Sequence, residues 1–100
     1  MITDTDLIIM YAENEKFRKE KPQYRFRMPL DKRFEEYFGQ IYGHDVIVKC
    51  IDKNGVRNTI NGRVEHAFIS GVFLYDKDNF KSSYFSYSTM VSIKDKKARK

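Results

Sequence analysis

The chain has 100 residues, of which 41% are apolar and 15% aromatic, with one cysteine and no tryptophan. That supports a single globular core, argues against a disordered chain and excludes an internal disulfide. Its 19 Lys and Arg outweigh 14 Asp and Glu, for a net charge of +5; this balance suits phosphate backbones or acidic protein surfaces, and serves plain solubility equally well.

No basic start followed by a long apolar stretch opens the sequence. The apolar run near the start, around residues 7–11, falls far short of the roughly 20 residues of a membrane span. A soluble, cytoplasmic protein is the expectation. Thr3, Asp4 and Thr5 offer helix-capping side chains, and Asp6 stands three residues after Thr3, as in a capping box. Leu7, Met10, Tyr11 and Phe17 then fall on one stripe, which predicts a helix over residues 4–19, closed off before Pro22. In "KPQYRFRMP", Tyr24, Phe26 and Met28 alternate with Arg25 and Arg27, an extended pattern that the prolines confine to a short edge segment or linker.

Asp31 is placed to cap a second helix over residues 31–42. Phe34, Tyr37, Phe38, Ile41 and Tyr42 follow helical spacing, and Gly43 is the stop. Gly39, inside this run, costs about 1 kcal/mol relative to Ala, which suggests close packing against it.

From Asp45 the period changes to two. "DVIVKCID" reads as a strand, with Cys50 as a small core residue. "KNGVRNTINGRV" holds two Asn-Gly pairs, each a candidate reversal. Even positions from Val56 through Ile60, Gly62, Val64, His66 and Phe68 are mostly apolar, and odd positions such as Arg57, Thr59, Arg63 and Glu65 are polar. The phase does not change at Gly62, so the second pair predicts a bend within one long strand rather than a hairpin. The first pair predicts a three-residue loop that sets Asp52 opposite Val56 and puts Val46, Val48 and Cys50 on one face with Ile60 and Val64. Strands over residues 71–76, 80–88 and 90–94 follow, the first two joined by a turn at "DKDN", and residues 95–100 form a basic tail. The whole is expected to be one domain over residues 1–100. Residues 1–30 supply a helix and a basic, aromatic segment, and residues 31–94 a helix and five strands. The class is α+β, mainly β: a strongly bent, five-stranded antiparallel small barrel preceded by two helices.

The pieces "FEEYFGQIYG", "DVIVKCIDKNG", "NTINGRVEHAF" and "FSYSTMVSIK" give this part of the chain a pattern that resembles the Sm-like small barrel, including its bacterial Hfq-type branch. A similar arrangement is expected in YolD-like small proteins of Gram-positive bacteria and their mobile elements. The resemblance implies a bent barrel that binds RNA or DNA and assembles through exposed strand edges. Two departures stand out. Sm-like proteins that read uridine-rich RNA carry Asp and Asn in the loop after the bent strand, where this chain reads "HAFISG". They carry an Arg-Gly or Lys-His type motif between the last two strands, where it reads "YSTM". The family's base pocket therefore does not carry over residue by residue.

Catalysis is not expected, and neither is a cofactor or metal. His44 and His66 are too few and too separated to name a site. His66 falls on the apolar face of the bent strand, as a hydrogen-bonded core histidine would, and His44 suits the end of the second helix. There is no phosphate loop, zinc spacing or nucleophile elbow. The basic, aromatic surface is the candidate nucleic-acid site: Lys19, Lys21, Tyr24, Arg25, Phe26 and Arg27, extended by Arg57 and Arg63. Its alternative is a protein interface at the "SSYFSYS" edge through Tyr84, Phe85 and Tyr87, as in a phage or mobile-element adaptor or inhibitor of a host protein.

Overall fold

The computed structural model describes residues 2–20, 28–52 and 54–96. Two helices, α1 (Asp4–Glu20) and α2 (Met28–Gln40), precede five strands: β1 (Asp45–Ile51), β2 (Arg57–Ala67), β3 (Gly71–Asp76), β4 (Lys81–Ser86) and β5 (Met90–Asp95). The strands form one antiparallel sheet in the order β4-β3-β2-β1-β5.

The expected capping box opens α1. Thr3 N donates to Asp6 Oδ2 (3.0 Å), and Asp6 N donates to Thr3 Oγ1 (3.2 Å). The Thr3 N–H and the Thr3 hydroxyl, both donating to the carboxylate, hold the Asp6 carboxyl below its usual range. Leu7 and Met10 are buried, and Tyr11 and Phe17 half-buried. α2 begins a turn earlier than the sequence suggests, since a proline at position 29 is tolerated where a helix N–H lacks an intrahelical partner anyway. Asp31 thus lies inside the first turn rather than before it. The extended stretch expected up to Met28 falls mostly on residues 21–27, outside the described residues; Met28 itself is helical. Phe34, Tyr37, Phe38 and Ile41 are buried as expected, but Tyr42 is 65% exposed. The helix ends at Gln40, and the chain turns away through Gly43, whose φ is +83°. Gly39 is also not in a tight contact: a Cβ there would meet open space.

The hairpin from β1 to β2 has the expected register. Val48 faces Ile60, Asp52 N donates to Val56 O (2.9 Å), and Gly55 carries φ +82°. β2 runs through Asn61-Gly62 without reversing. Gly62 pairs with Val46 on one side and Asp76 on the other. A Cβ there would lie 2.8 Å from Tyr75 O, so glycine lets β3 approach. The phase instead slips two residues later, at a bulge between Val64 and His66. Val64 is buried, but His66 and Phe68 turn out to solvent while Ala67 packs inward. His66 is therefore an exposed side chain, not the core histidine that unbroken alternation implies.

β4 is shorter than expected. Asp76 accepts from Asp78 N (3.0 Å) and Asn79 N (3.3 Å), winding a turn that forces Phe80 to φ +57°. At the other end the chain leaves the sheet as a 3-10 turn (Tyr87–Thr89). The sheet is not a closed barrel: β4 and β5 are its two edges and do not pair with each other. It is nonetheless strongly curled. Four inter-strand spacings across a flat sheet span about 19 Å. The four residue steps from Ser86 to Met90, even fully extended, reach only about 14 Å.

The core lies inside this curl, under α2. Tyr87 is fully buried, its ring stacked 5.4 Å from Phe34 and 5.9 Å from Phe38. Its hydroxyl donates to Phe68 O (2.5 Å), and burial pushes the phenol well above its ordinary pKa. Val46, Val48, Val64, Val72, Leu74, Met90 and Ile93 complete the interior. Cys50 joins them as expected, with burial raising its thiol pKa.

α1 lies along the outer edge of β5. Tyr11 accepts from Ile93 N and donates to Ile93 O (3.0 Å). Asn14 Nδ2 donates to Met90 O (2.9 Å) and Tyr87 O (3.0 Å), and Arg18 donates to Ser88 O (3.1 Å). These side chains, spaced along one face of the helix, occupy polar groups that a neighbouring strand would otherwise take.

Candidate nucleic-acid interface

Directly opposed residues in a sheet share a face, and alternate residues along a strand do too. The face turned away from the core therefore carries Lys94 of β5, Lys49 of β1, Arg57 and Arg63 of β2, Phe73 and Tyr75 of β3, and Tyr84 of β4. Lys49, Arg57, Arg63 and Lys94 are all exposed. Arg63 lies over the Tyr75 ring, 5.2 Å from its centroid, and 3.9 Å from the Glu65 carboxylate. Asp45, on the same face, is tied to Lys77 at 2.8 Å, which lowers its pKa. The basic groups of β5, β1 and the first half of β2 thus outnumber the acids.

On the β3–β4 side the face becomes aromatic. His66 and Phe68 are 4.4 Å apart between ring centroids; Phe68 and Phe73 are 5.6 Å apart, Phe73 and Tyr84 6.1 Å. All four are exposed. The bulge in β2 brings His66 and Phe68 into this group. Gly71 lets the Tyr84 ring fold across the sheet: a Cβ there would lie 2.5 Å from the ring carbon Cζ. The Tyr84 hydroxyl then meets Ser70 Oγ at 2.5 Å. Rings offered in this way can stack on bases, and the adjacent guanidinium and ammonium groups can neutralise phosphates.

The structure thus brings together some of the residues expected from sequence and separates others. Arg57 and Arg63 do share an exposed face. Lys19 is exposed near the end of α1 and pairs with Glu15 (3.5 Å). Lys21, Tyr24, Arg25, Phe26 and Arg27 lie outside the described residues. Of the expected protein interface, Tyr84 is exposed on the outer face and Phe85 is half-buried on the inner face. Tyr87 is no interface residue, because it fills the centre of the core. Sequence reading missed Lys49, Phe68, Phe73 and Lys94. The one available signal for Phe73 was that "GVFLYD" is apolar on both faces, one more than a half-buried strand needs.

His44 faces Asp95, with Nδ1 at 3.0 Å and 3.2 Å from the two carboxylate oxygens, and so links the end of α2 to the end of β5. Among the described residues no group of three or more His, Cys, Asp or Glu side chains is placed to hold a metal ion. No helix among them is long and apolar enough to cross a membrane. Compared with known proteins, the chain matches no family model, no curated protein and no solved structure.

Proposed function

We propose that the chain is a non-catalytic protein of Sm-like small-barrel build that binds single-stranded RNA or DNA on the outer face of its sheet. The observation that carries this reading is the meeting on one face of exposed arginines and lysines with an exposed aromatic group, Arg63 over Tyr75 marking the junction. Bases stack on Phe68, Phe73 and Tyr84, and the backbone runs toward Arg63, Arg57, Lys49 and Lys94. The small-barrel build is supported by five antiparallel strands in a tightly curled sheet, the second strand running on through Gly62, where β3 approaches closely, to a bulge between Val64 and His66.

Fluorescence anisotropy with labelled single-stranded RNA and DNA oligonucleotides tests it. Binding is expected to weaken by one or more orders of magnitude between 50 mM and 200 mM salt, if about four phosphates are neutralised. Arg57→Ala with Arg63→Ala lowers affinity for every sequence. Phe73→Ala loses about 1–3 kcal/mol of stacking. Absence of binding at low salt, or binding indifferent to all three substitutions, overturns the reading.

A protein partner is the second reading, favoured by the unpaired β4 edge beside the same rings. It predicts a salt-tolerant complex that Tyr84→Lys abolishes.

A further inference from the structure

The two edges of the sheet are not equivalent. β5 is closed from outside: Ile93 turns its N–H and C=O away from β1, and the Tyr11 hydroxyl engages both, while Asn14 and Arg18 hold Met90 O and Ser88 O. Among the described residues β4 has no such cover. It carries no proline and no bulge, and its one charge is Lys81 at its first position. Natural sheets protect their edges with such devices, so a bare strand of this kind is a pairing surface.

The polar groups on that edge can be assigned. Tyr87 N donates to Ser70 O, so alternation along the ladder directs the backbone of Phe85, Ser83 and Lys81 toward β3 and that of Ser82, Tyr84 and Ser86 outward. Ser86 O already accepts from Thr89 Oγ1 (2.8 Å). Ser82 and Tyr84 remain as the outward pair, and they are complementary to themselves. In an antiparallel pairing centred on Ser83, each Ser82 faces the Tyr84 of a second copy and all their outward groups are used.

From this geometry we propose that the chain forms a two-fold dimer through β4, with a second copy of this chain as the occupant of the edge. Charge and shape favour that occupant. Behind the edge lies a groove of about 430 Å³, lined by Cys50, Ile60, Phe85 and Thr89; its charged lining among the described residues is Asp52, Asp76 and Asp78, of which Asp76 already faces Lys81 of its own chain. In the Ser83-centred register Lys81 of the second copy comes opposite Phe85 at this groove, a cation beside carboxylates. Phe80 of the second copy comes level with Ser86. Phe80 is 80% exposed and held at φ +57°, a costly state for a bulky residue that a contact across the two-fold makes useful. Unlike edges cannot join head to tail, because α1 occupies β5. The inference stands apart from nucleic-acid binding, though the two-fold would set two aromatic faces side by side.

The experiment measures mass in solution by sedimentation equilibrium across a range of protein concentrations, without nucleic acid. A reversible species of twice the 12.0 kDa chain is expected. Ser82→Pro removes an outward N–H without touching the β3 ladder, and is expected to give a monomer with an unchanged circular dichroism spectrum. Ser83→Cys is expected to cross-link two chains under mild oxidation, since the central pair of an antiparallel ladder lies within disulfide range, while Lys81→Cys is not. If Ser82→Pro does not fold, the two cysteine variants decide. A monomer at all concentrations, a ring larger than a dimer, a dimer unaffected by a folded Ser82→Pro, or cross-linking of the Lys81→Cys variant but not of the Ser83→Cys variant overturns the proposal.

Discussion

Asn14 has no solvent exposure, yet it faces the carbonyls of Tyr87 and Met90 rather than an apolar neighbour. Replacing it with Leu leaves both buried acceptors without that donor, so Asn14→Leu is expected to cost about 2–3 kcal/mol, read as a fall in the urea midpoint. Phe80 behaves in the opposite sense. Its left-handed backbone favours Gly or Asn, so Phe80→Gly is expected to raise stability by about 1 kcal/mol in dilute solution. The buried phenols set an alkaline limit. Burial, with Asp95 and Asp4 nearby, pushes Tyr37 up to about 12, and burial raises Tyr11 and Tyr87 further. A phenol whose pKa is raised by folding stabilises the fold fully below the unfolded value of about 10 and loses that contribution as pH rises through the folded value. Stability is therefore expected to be level up to about pH 9 and to fall from pH 10 upward. A pH series of thermal melts checks this, and Tyr37→Phe should flatten the decline.

Among elements, α2 offers a clean test of propensity without packing. Gly39 has open space around its missing Cβ, so Gly39→Ala is expected to stabilise the helix by about 0.5–1 kcal/mol. Gly62→Ala should do the reverse, costing about 1–3 kcal/mol, because the new methyl meets the Tyr75 carbonyl. Chemical denaturation of the two variants should shift the midpoint in opposite directions. The contrast also shows what the sequence could reveal. Gly62 interrupts a strand whose alternation continues through it, which marks a strand that runs on rather than reversing; Gly39 interrupts a helix and carries no comparable sign. The Thr3–Asp6 cap, the β1–β2 register and the long unreversed strand were legible because each is local and periodic. The bulge at Glu65 was not, because one extra residue in β2 is recognisable only against Leu74 and Phe73 across the ladder. That slip carried His66 and Phe68 to the outer face, where they join Phe73 and Tyr84 in the aromatic part of the candidate site. Asn14 and Tyr87 escaped for a related reason: a polar residue on an apolar stripe, or a tyrosine among serines, shows its role only when a distant element supplies the partner.

For the molecule as a whole, curvature and edges decide what surfaces exist. The short link from Ser86 to Met90 draws the ends of the sheet together and turns its outer face convex, with Phe68, Phe73, Tyr84, Arg57 and Arg63 exposed on it. The clasp of α1 on β5 has a consequence for assembly. A strand with both neighbours satisfied is inert; a strand with one side bare is a growing end. If β4 pairs as proposed, the described sheet has a single bare side and growth stops when two copies meet. Under that pairing, uncovering β5 would leave two bare sides of unlike register on every copy, and association would no longer terminate at a pair. Tyr11→Phe with Asn14→Ala and Arg18→Ala, which strips the clasp while keeping Leu7 and Met10 in the core, is expected to yield species that lengthen with concentration, visible as rising light scattering; the first helix would then act as a chain terminator as much as a support for the core.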